Sequence, residues 1–311
     1  MKVFIDGRAG TTGLRIESRL ADRKDIELLV LEDRDRHDIE KRREALNCCD
    51  AAVLCLPDAA AREAVSLIDP GNTHTVVLDA STAHRTTPGW AYGFPELSDS
   101  HRDAIRSGNR IAVPGCHASG FIVLIHPLVQ AGLLPASALL SCFSVTGYSG
   151  GGKSMIAQYE SDPRTEGLLS PRQYGLGQTH KHLPEMQKIT GLENAPMFSP
   201  VVSNFRCGLV VTVPLFRQQL NPGYGVDDIR EVYRSQYSGP VVRWRDELPT
   251  DGFLAADPFD GNDGMEIMVG GCEDRILLIS RYDNLGKGAS GAAVQCLNIA
   301  MGAEETAGLK L

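Results

Sequence analysis

The first twenty residues constrain the fold more than any other stretch. KVFID (2–6) reads as a short strand, it runs straight into GRAGTTG (7–13), and the helix that follows carries Leu14, Ile16 and Leu20. Strand, glycine-rich turn and helix in immediate succession open a dinucleotide-binding βαβ unit. Gly7 then allows the tight turn, Gly10 removes a side chain where a pyrophosphate approaches, and Gly13 lets helix and strand pack closely. The pyrophosphate would rest on the helix N-terminus, where unpaired N–H groups and the helix dipole favour an anion. The spacing is GxxGxxG rather than GxGxxG, so the position of the turn carries more weight than its letters.

The alternation continues. IELLVLED (26–33) is a second strand ending in Glu32 and Asp33, with Arg34 and Arg36 close behind. An acid there accepts the ribose hydroxyls of NAD, whereas arginines hold the 2′-phosphate of NADP. The two signals conflict, and a solvated turn of mixed charge accounts for part of the cluster. DAAVLCLPDAAAREAVSLI (50–68) repeats strand, proline break and helix, and HTVVLDASTAHR (74–85) is a strand running into a polar loop with Arg85. WAYGFPEL (90–97) reads as irregular, HRDAIRSG (101–108) as a short helix and IAV (111–113) as the next strand. Such alternation predicts a mostly parallel sheet covered on both faces.

PGCHASGFIVLIHPLVQ (114–130) is the pivot of the chain. Pro114-Gly115 stops the strand, and the apolar residues from Phe121 to Val129 read as the core-facing side of a helix. Cys116 stands at the start of that helix, where N–H groups and the dipole stabilise a thiolate. A thiolate attacks carbonyls; the plainer alternative is a small thiol filling a corner of the core.

Beyond this point the texture changes. ALLSCFSVTG (138–147), CGLVVTVPLF (207–216) and RILLISRYDN (275–284) read as strands, and VDDIREVYRSQY (226–237) as an amphipathic helix with Asp227 and Asp228 in its first turn. They predict a second, α+β domain on a mixed or antiparallel sheet. YSGGGKSM lacks the GxxxxGK[ST] spacing of a triphosphate-binding loop. It reads instead as a loop shaped for a ligand or a partner chain. From Lys287 an Ala/Gly-rich helix is expected to pack back on the first domain. The expected boundaries are 1–114 for a Rossmann-type dinucleotide domain, 115–285 for a catalytic and oligomerisation domain, and 286–311 for the returning helix.

A chain of 311 residues suffices for two cores. With 39 acidic and 31 basic residues, a net charge of -8 argues against nucleic acid or an anionic membrane surface as partner. The longest greasy stretch is interrupted by His126, Gln130, Gly132 and Pro135, so no membrane span is expected. With no hydrophobic leader ahead of the first strand, the expected location is cytoplasmic. Eight cysteines without a CxxC pair predict reduced thiols and no zinc cluster; no metal is expected.

An acid/base is sought among the histidines. His180 and His182 in QTHKHLPE are the best pair. Two residues apart on an extended segment they face differently, so one of them is expected at a shared site. His117 can point elsewhere from the helix start, and His126 reads as a core histidine. Arg85 and Arg206 could each clamp an anion through a bidentate fork; an ordinary surface salt bridge is the alternative for either.

Taken together, GRAGTTG, LDASTAHR, YGFPEL, PGCHASG, TGYSGGGK, HKHLPE, NFRCGLVVTVPL and DNLGKGASGAAVQ resemble the short bacterial form of the N-acetyl-gamma-glutamyl-phosphate reductases, in the wider aspartate-semialdehyde dehydrogenase-like group. The likeness spans nearly the whole chain. It implies Cys116 as nucleophile, His180 as general acid/base and His182 as runner-up or substrate contact. It further implies Arg85 for the acyl phosphate, Arg206 as a second substrate-site arginine and Asn284 near the nicotinamide. NADP is the implied cofactor, held by Gly7, Arg8, Gly10, Thr11, Thr12, Gly13 and Arg34. The small-molecule substrate and phosphate, a homodimer or homotetramer, and a place in arginine biosynthesis are implied as well. Two positions depart from the family pattern: His117 stands where Tyr is frequent, and Arg8 where a small residue is common. Aspartate-semialdehyde dehydrogenase and a non-catalytic dinucleotide-binding protein are the alternatives.

Overall fold

A computed structural model describes residues 1–32, 34–163 and 166–311; Asp33, half of the acidic pair after the second strand, lies outside them. The chain divides into two compact units: Met1–Gly115 with Ala289–Leu309, and Cys116–Gly288 with Lys310–Leu311.

The first unit begins β1 (Lys2–Asp6), α1 (Thr11–Leu20), β2 (Glu27–Leu29), α2 (Ile39–Cys48), β3 (Ala51–Leu54), α3 (Asp58–Ser66) and β4 (Val76–Asp79). It continues with β5 (Ala91–Tyr92), α4 (Asp99–Ser107) and β6 (Arg110–Ala112). The second unit comprises α5 (Cys116–Gln130), β7 (Ser141–Gly147), α6 (Gly152–Glu160), β8 (Arg172–Gln173), α7 (Leu183–Thr190), β9 (Met197–Ser203), β10 (Leu209–Phe216), α8 (Val226–Gln236), β11 (Val242–Trp244), β12 (Met265–Gly271) and β13 (Arg275–Tyr282). A π-helical turn, Gly286–Ser290, leads to α9 (Gly291–Ala300), which belongs to the first unit.

All six strands of the first unit are parallel, in the order β2-β1-β3-β4-β6-β5. Alternation along each strand serves two cores. Val3, Ile5, Val53, Leu78 and Ile111 pack with Ile16 and Leu20 of α1, Ile105 of α4 and Ala293 and Leu297 of α9. Phe4, Ala52, Leu54 and Val77 pack on the other face with Leu46 of α2 and Ala64 of α3. A fully buried aliphatic side chain contributes about 1.5–3 kcal/mol, which is why this two-sided pattern dictates a sheet covered twice. Two expectations need correction. The strand expected over 26–33 ends at Leu29, because β2 is an edge strand with one neighbour and Val30 is already exposed. The irregular 90–97 stretch contains β5, which finds an edge on β6.

The second sheet is mixed, in the order β11-β12-β13-β10-β7-β9-β8. Helix α5 is apolar all round, with Phe121 to Ile125 fully buried, and it lies flush on β10 and β13 through Gly120. A methyl group at Gly120 would stand 2.5 Å from Val211 Cγ2. Pro127 lies inside α5 and has no N–H for the carbonyl one turn earlier, that of Val123. Tyr237 of the α8 C-terminus fills the gap, its hydroxyl donating to the Val123 carbonyl at 2.5 Å, while Tyr233 donates to Leu124. The opposite face of the sheet exposes Phe143, Met197, Phe216 and Leu277. The YSGGGKSM stretch, expected as a loop, is a 3₁₀ turn (Tyr148–Gly151) followed by α6. All eight cysteines are free, and no helix among the described residues is long and apolar enough to cross a membrane.

Candidate active site

In the first unit the candidate site is made of main chain. Gly7 follows β1 with φ +83°, and a Cβ there would stand 2.3 Å from the Cys55 carbonyl oxygen at the end of β3. Strand order reverses between β1 and β3, which is where open α/β sheets bind ligands. A Cβ at Gly13 would meet the Gly7 carbonyl oxygen at 2.7 Å, so turn and helix share one tight packing. Helix α1 starts with Gly10 as N-cap, no side-chain cap and no acid among Thr11, Thr12 and Gly13. By contrast, Asp38 caps α2 by accepting from the N–H groups of Glu40 and Lys41. The open start of α1, walled by glycines, suits a phosphate.

The charged candidates nearby are engaged with each other. Arg8 Nη1 donates to Glu17 at 2.9 Å, and Arg34 Nε lies 2.9 Å from Glu32. Of the conflicting acid and arginine signals after β2, Glu32 and Arg34 thus form an exposed ion pair. Arg85 is not on the surface. It is buried, with Nε donating to the Val113 carbonyl at 2.8 Å and Nη2 to Ala80 at 3.1 Å. The loop that carries it is tied to buried Asp79, which accepts from Ser81 and shares a 2.6 Å hydrogen bond with His84 Nδ1.

In the second unit the candidate site is made of side chains. Cys116 is the first residue of α5 and half-buried. The Tyr282 hydroxyl donates to its carbonyl at 2.5 Å, and a Cβ at Gly288 would stand 3.0 Å from the Cys116 Cβ. His117 does not turn away: it is buried, its Nδ1 sharing a hydrogen bond of 2.7 Å with Ser144 Oγ and its Nε2 one of 2.7 Å with Tyr174 Oη. Burial, with His180 adding repulsion, pushes the His117 pKa down to about 3. Burial also raises Tyr174, and the Cys116 sulfur is close enough to add to the rise.

His180 and His182 both join this cluster. Their ring centroids lie 4.7 Å apart, and 5.9 and 5.7 Å from that of His117. The expectation that only one could arrive assumed an extended segment. Here His182 is instead the N-cap of α7 in αR conformation, so the chain bends and both rings fall on one side. His180 Nδ1 accepts the His182 main-chain N–H at 3.2 Å, which leaves the ring proton on Nε2. Burial, followed by repulsion from Lys181, lowers the His180 pKa to about 4. The ring is therefore neutral near pH 7, able to offer a hydrogen bond from Nε2.

Two further candidates have other partners. Arg206 is exposed and pairs with Glu160 at 3.3 Å. Asn284 is buried, its Oδ1 accepting from Gly208 N–H and its Nδ2 donating to Ser149 Oγ, both at 2.9 Å; it knits the glycine turn to the start of β10. Nearby, Cys207, Asp260 and Asp283 bring potential ligand atoms within 4.8 Å of one another. The Asp283 carboxylate there receives the N–H group of Leu285, within its own turn, and that of Gly261, 22 residues earlier. Tyr174 and Ser144 were missed from sequence. The one available signal was an aromatic in the same short segment as the two histidines.

The family model for the semialdehyde dehydrogenase dimerisation domain matches residues 116–284. N-acetyl-gamma-glutamyl-phosphate reductase 2 of Nostoc sp. is 44% identical, over 99% of this chain and 99% of its own. The N-acetyl-gamma-glutamyl-phosphate reductase of Brucella ovis is 43% identical over 97% of this chain and 99% of its own. Among solved structures, aspartate semialdehyde dehydrogenase II from Vibrio cholerae, complexed with ASA, superposes with a TM-score of 0.71 at 16% identity, covering 96% of this chain and 98% of that one. The Candida albicans aspartate semialdehyde dehydrogenase with NADP gives 0.65 at 14%, over 96% and 98%. At such identities these two carry the fold alone.

Proposed function

The chain belongs to the N-acetyl-gamma-glutamyl-phosphate reductase family, and from that membership we propose how its residues perform the reaction. The reaction is NADPH-dependent reduction of N-acetyl-5-glutamyl phosphate to N-acetyl-L-glutamate 5-semialdehyde and phosphate, a step of arginine biosynthesis. The observation that carries the assignment of roles is Cys116 at the first residue of α5, in one cluster with His117, His180 and Tyr174.

The start of α5 favours the Cys116 thiolate. The thiolate adds to the acyl carbon, the carbonyl oxygen takes the negative charge, and collapse expels phosphate, leaving a thioester on Cys116. Arg85, its guanidinium steadied by two main-chain carbonyls, receives the phosphate; Arg206 and His182 are assigned to the rest of the substrate. When bound, NADPH supplies the hydride that reduces the acyl carbon. The thiohemiacetal oxyanion on Cys116 then expels the thiolate and releases the aldehyde. His180 holds its proton at Nε2 and gives a hydrogen bond to the oxyanion in both tetrahedral states. A thiolate suits both halves because it attacks well and leaves well.

For the dinucleotide, the residues present fit. Gly7, Gly10 and Gly13 leave the main chain of α1 open to a pyrophosphate, with Thr11 and Thr12 in its first turn. Arg8, in that loop, and Arg34, after β2, would exchange Glu17 and Glu32 for cofactor phosphate. The exposed apolar face of the second sheet, Phe143, Met197, Phe216 and Leu277, is assigned to a second copy of the chain. Phe143→Asp should then shift the molar mass in light scattering from dimer or tetramer toward monomer; an unchanged mass moves the interface elsewhere.

Cys116→Ser tests the covalent scheme. Phosphate-dependent oxidation of the semialdehyde should fall by more than about a thousandfold, with NADPH binding held within twofold. Activity surviving within tenfold would sink it. Assaying aspartate semialdehyde alongside separates the two related reactions.

A further inference from the structure

The segment between β8 and α7 (residues 174–182) has no regular structure, yet it is fastened to its surroundings at two points. At the first, the Tyr174 hydroxyl meets His117 Nε2 at 2.7 Å, and His117 is fixed from its other nitrogen by Ser144 of β7. Tyr174 also prolongs the β8 ladder, its N–H donating to the Pro200 carbonyl at 3.0 Å. At the second, the Gln178 side chain replaces a strand residue. Its Nε2 donates to the Phe198 carbonyl at 2.7 Å and its Oε1 accepts the Phe198 N–H at 2.9 Å. One amide thus satisfies both main-chain groups of a β9 residue, as a neighbouring strand would. Gln178 does this with φ +53°, the only positive φ at a non-glycine residue among those described. Left-handed backbone at a glutamine costs free energy and persists where surrounding contacts enforce it. The Phe198 ring in turn packs 5.1 Å from His180 and 5.4 Å from His117.

Both fastenings flank His180. We propose that Tyr174, through His117, and Gln178, through Phe198, are positioning residues that hold His180 in place for the reaction, neither of them touching substrate. The inference rests on the role given to His180 above. His117 is then a buried bridge and not a second acid/base. The left-handed turn at Gln178 is the conformation that lets the amide reach the sheet edge while the chain doubles back to His180.

The test is a double-mutant design with kcat and KM measured separately. Tyr174→Phe removes a single oxygen and Gln178→Gly removes the amide while relieving the left-handed strain. Each should lower kcat by roughly ten- to a hundredfold, the scale of a misplaced catalytic group, with KM for the acyl phosphate within threefold. Gln178→Gly gives up two hydrogen bonds while relieving the left-handed strain, so kcat is compared well below each variant's melting temperature, which separates positioning from stability. In a His180→Asn background both substitutions should be silent, since they act through the missing ring. An equal loss in that background, or unchanged kcat in the single variants, overturns the inference. If Tyr174→Phe fails to fold, Gln178→Gly decides alone. Should Cys116→Ser or His180→Asn retain activity, the underlying reaction scheme is what fails.

Discussion

The two units present their chemistry in opposite ways. The dinucleotide candidate site of the first is backbone: glycines at 7, 10 and 13 and the open start of α1. The site of the second is side chain: a thiol, three imidazoles and a phenol held by bonds between distant strands and loops. A backbone site fails when a side chain is added, and a side-chain site fails when one is removed. The first should therefore be damaged mainly through binding and stability, the second mainly through turnover.

His180→Asn probes the sharper arm of that contrast. Loss of a positioned proton donor should cut kcat by about 10²- to 10³-fold, while fluorescence titration with NADPH is unmoved and the melting temperature holds. A loss confined to KM would give His180 a binding role and weaken the contrast. Gly7→Ala is the complement. With φ +83° and a carbonyl oxygen 2.3 Å from the new methyl, it should cost about 3 kcal/mol of stability. NADPH affinity should drop at least tenfold, yet the rate of Cys116 alkylation by iodoacetamide should stay within twofold. Preserved affinity would remove the loop from the cofactor site.

Acid should expose the smallest difference. His117 and His180 are held at about 3 and about 4 against an ordinary 6.5, so below pH 6.5 the unfolded chain binds protons that the folded one refuses. Stability from these groups is complete above pH 6.5 and is lost as pH falls toward 4. His101 in the first unit is lowered by burial with the same sign. With His117 and His180 set against His101, the second unit should lose more hydrogen-exchange protection between pH 7.5 and 5. Equal losses in the two units would show the histidine cluster to be less buried in solution.

Legibility in the sequence followed the same division. Gly7, Gly13 and the apolar alternation of β1, β3 and β4 act on neighbours in the chain or on a repeated local pattern, so they were readable in order. The position of Cys116 at a helix start was readable for the same reason. The edge strand β2 was overestimated because apolar letters do not reveal that a strand has one neighbour only. The pairing of Arg206 with Glu160 was unreadable, because Glu160 lies on α6, 46 residues away.

The sequence by itself determined a parallel, doubly covered sheet opening on a glycine turn, a second mixed sheet, and a cysteine at a helix N-terminus. These rest on periodicity, turn chemistry and helix-end electrostatics, all local. Only the tertiary structure decided that His117 is bonded to both Ser144 and Tyr174, that His180 and His182 share one cluster, and that Tyr174 belongs with them. The bond from His117 to Tyr174 spans 57 residues and that from Asn284 to Ser149 spans 135. Burial, which lowers the pKa of His117 and His180, exists only once the chain has closed over them.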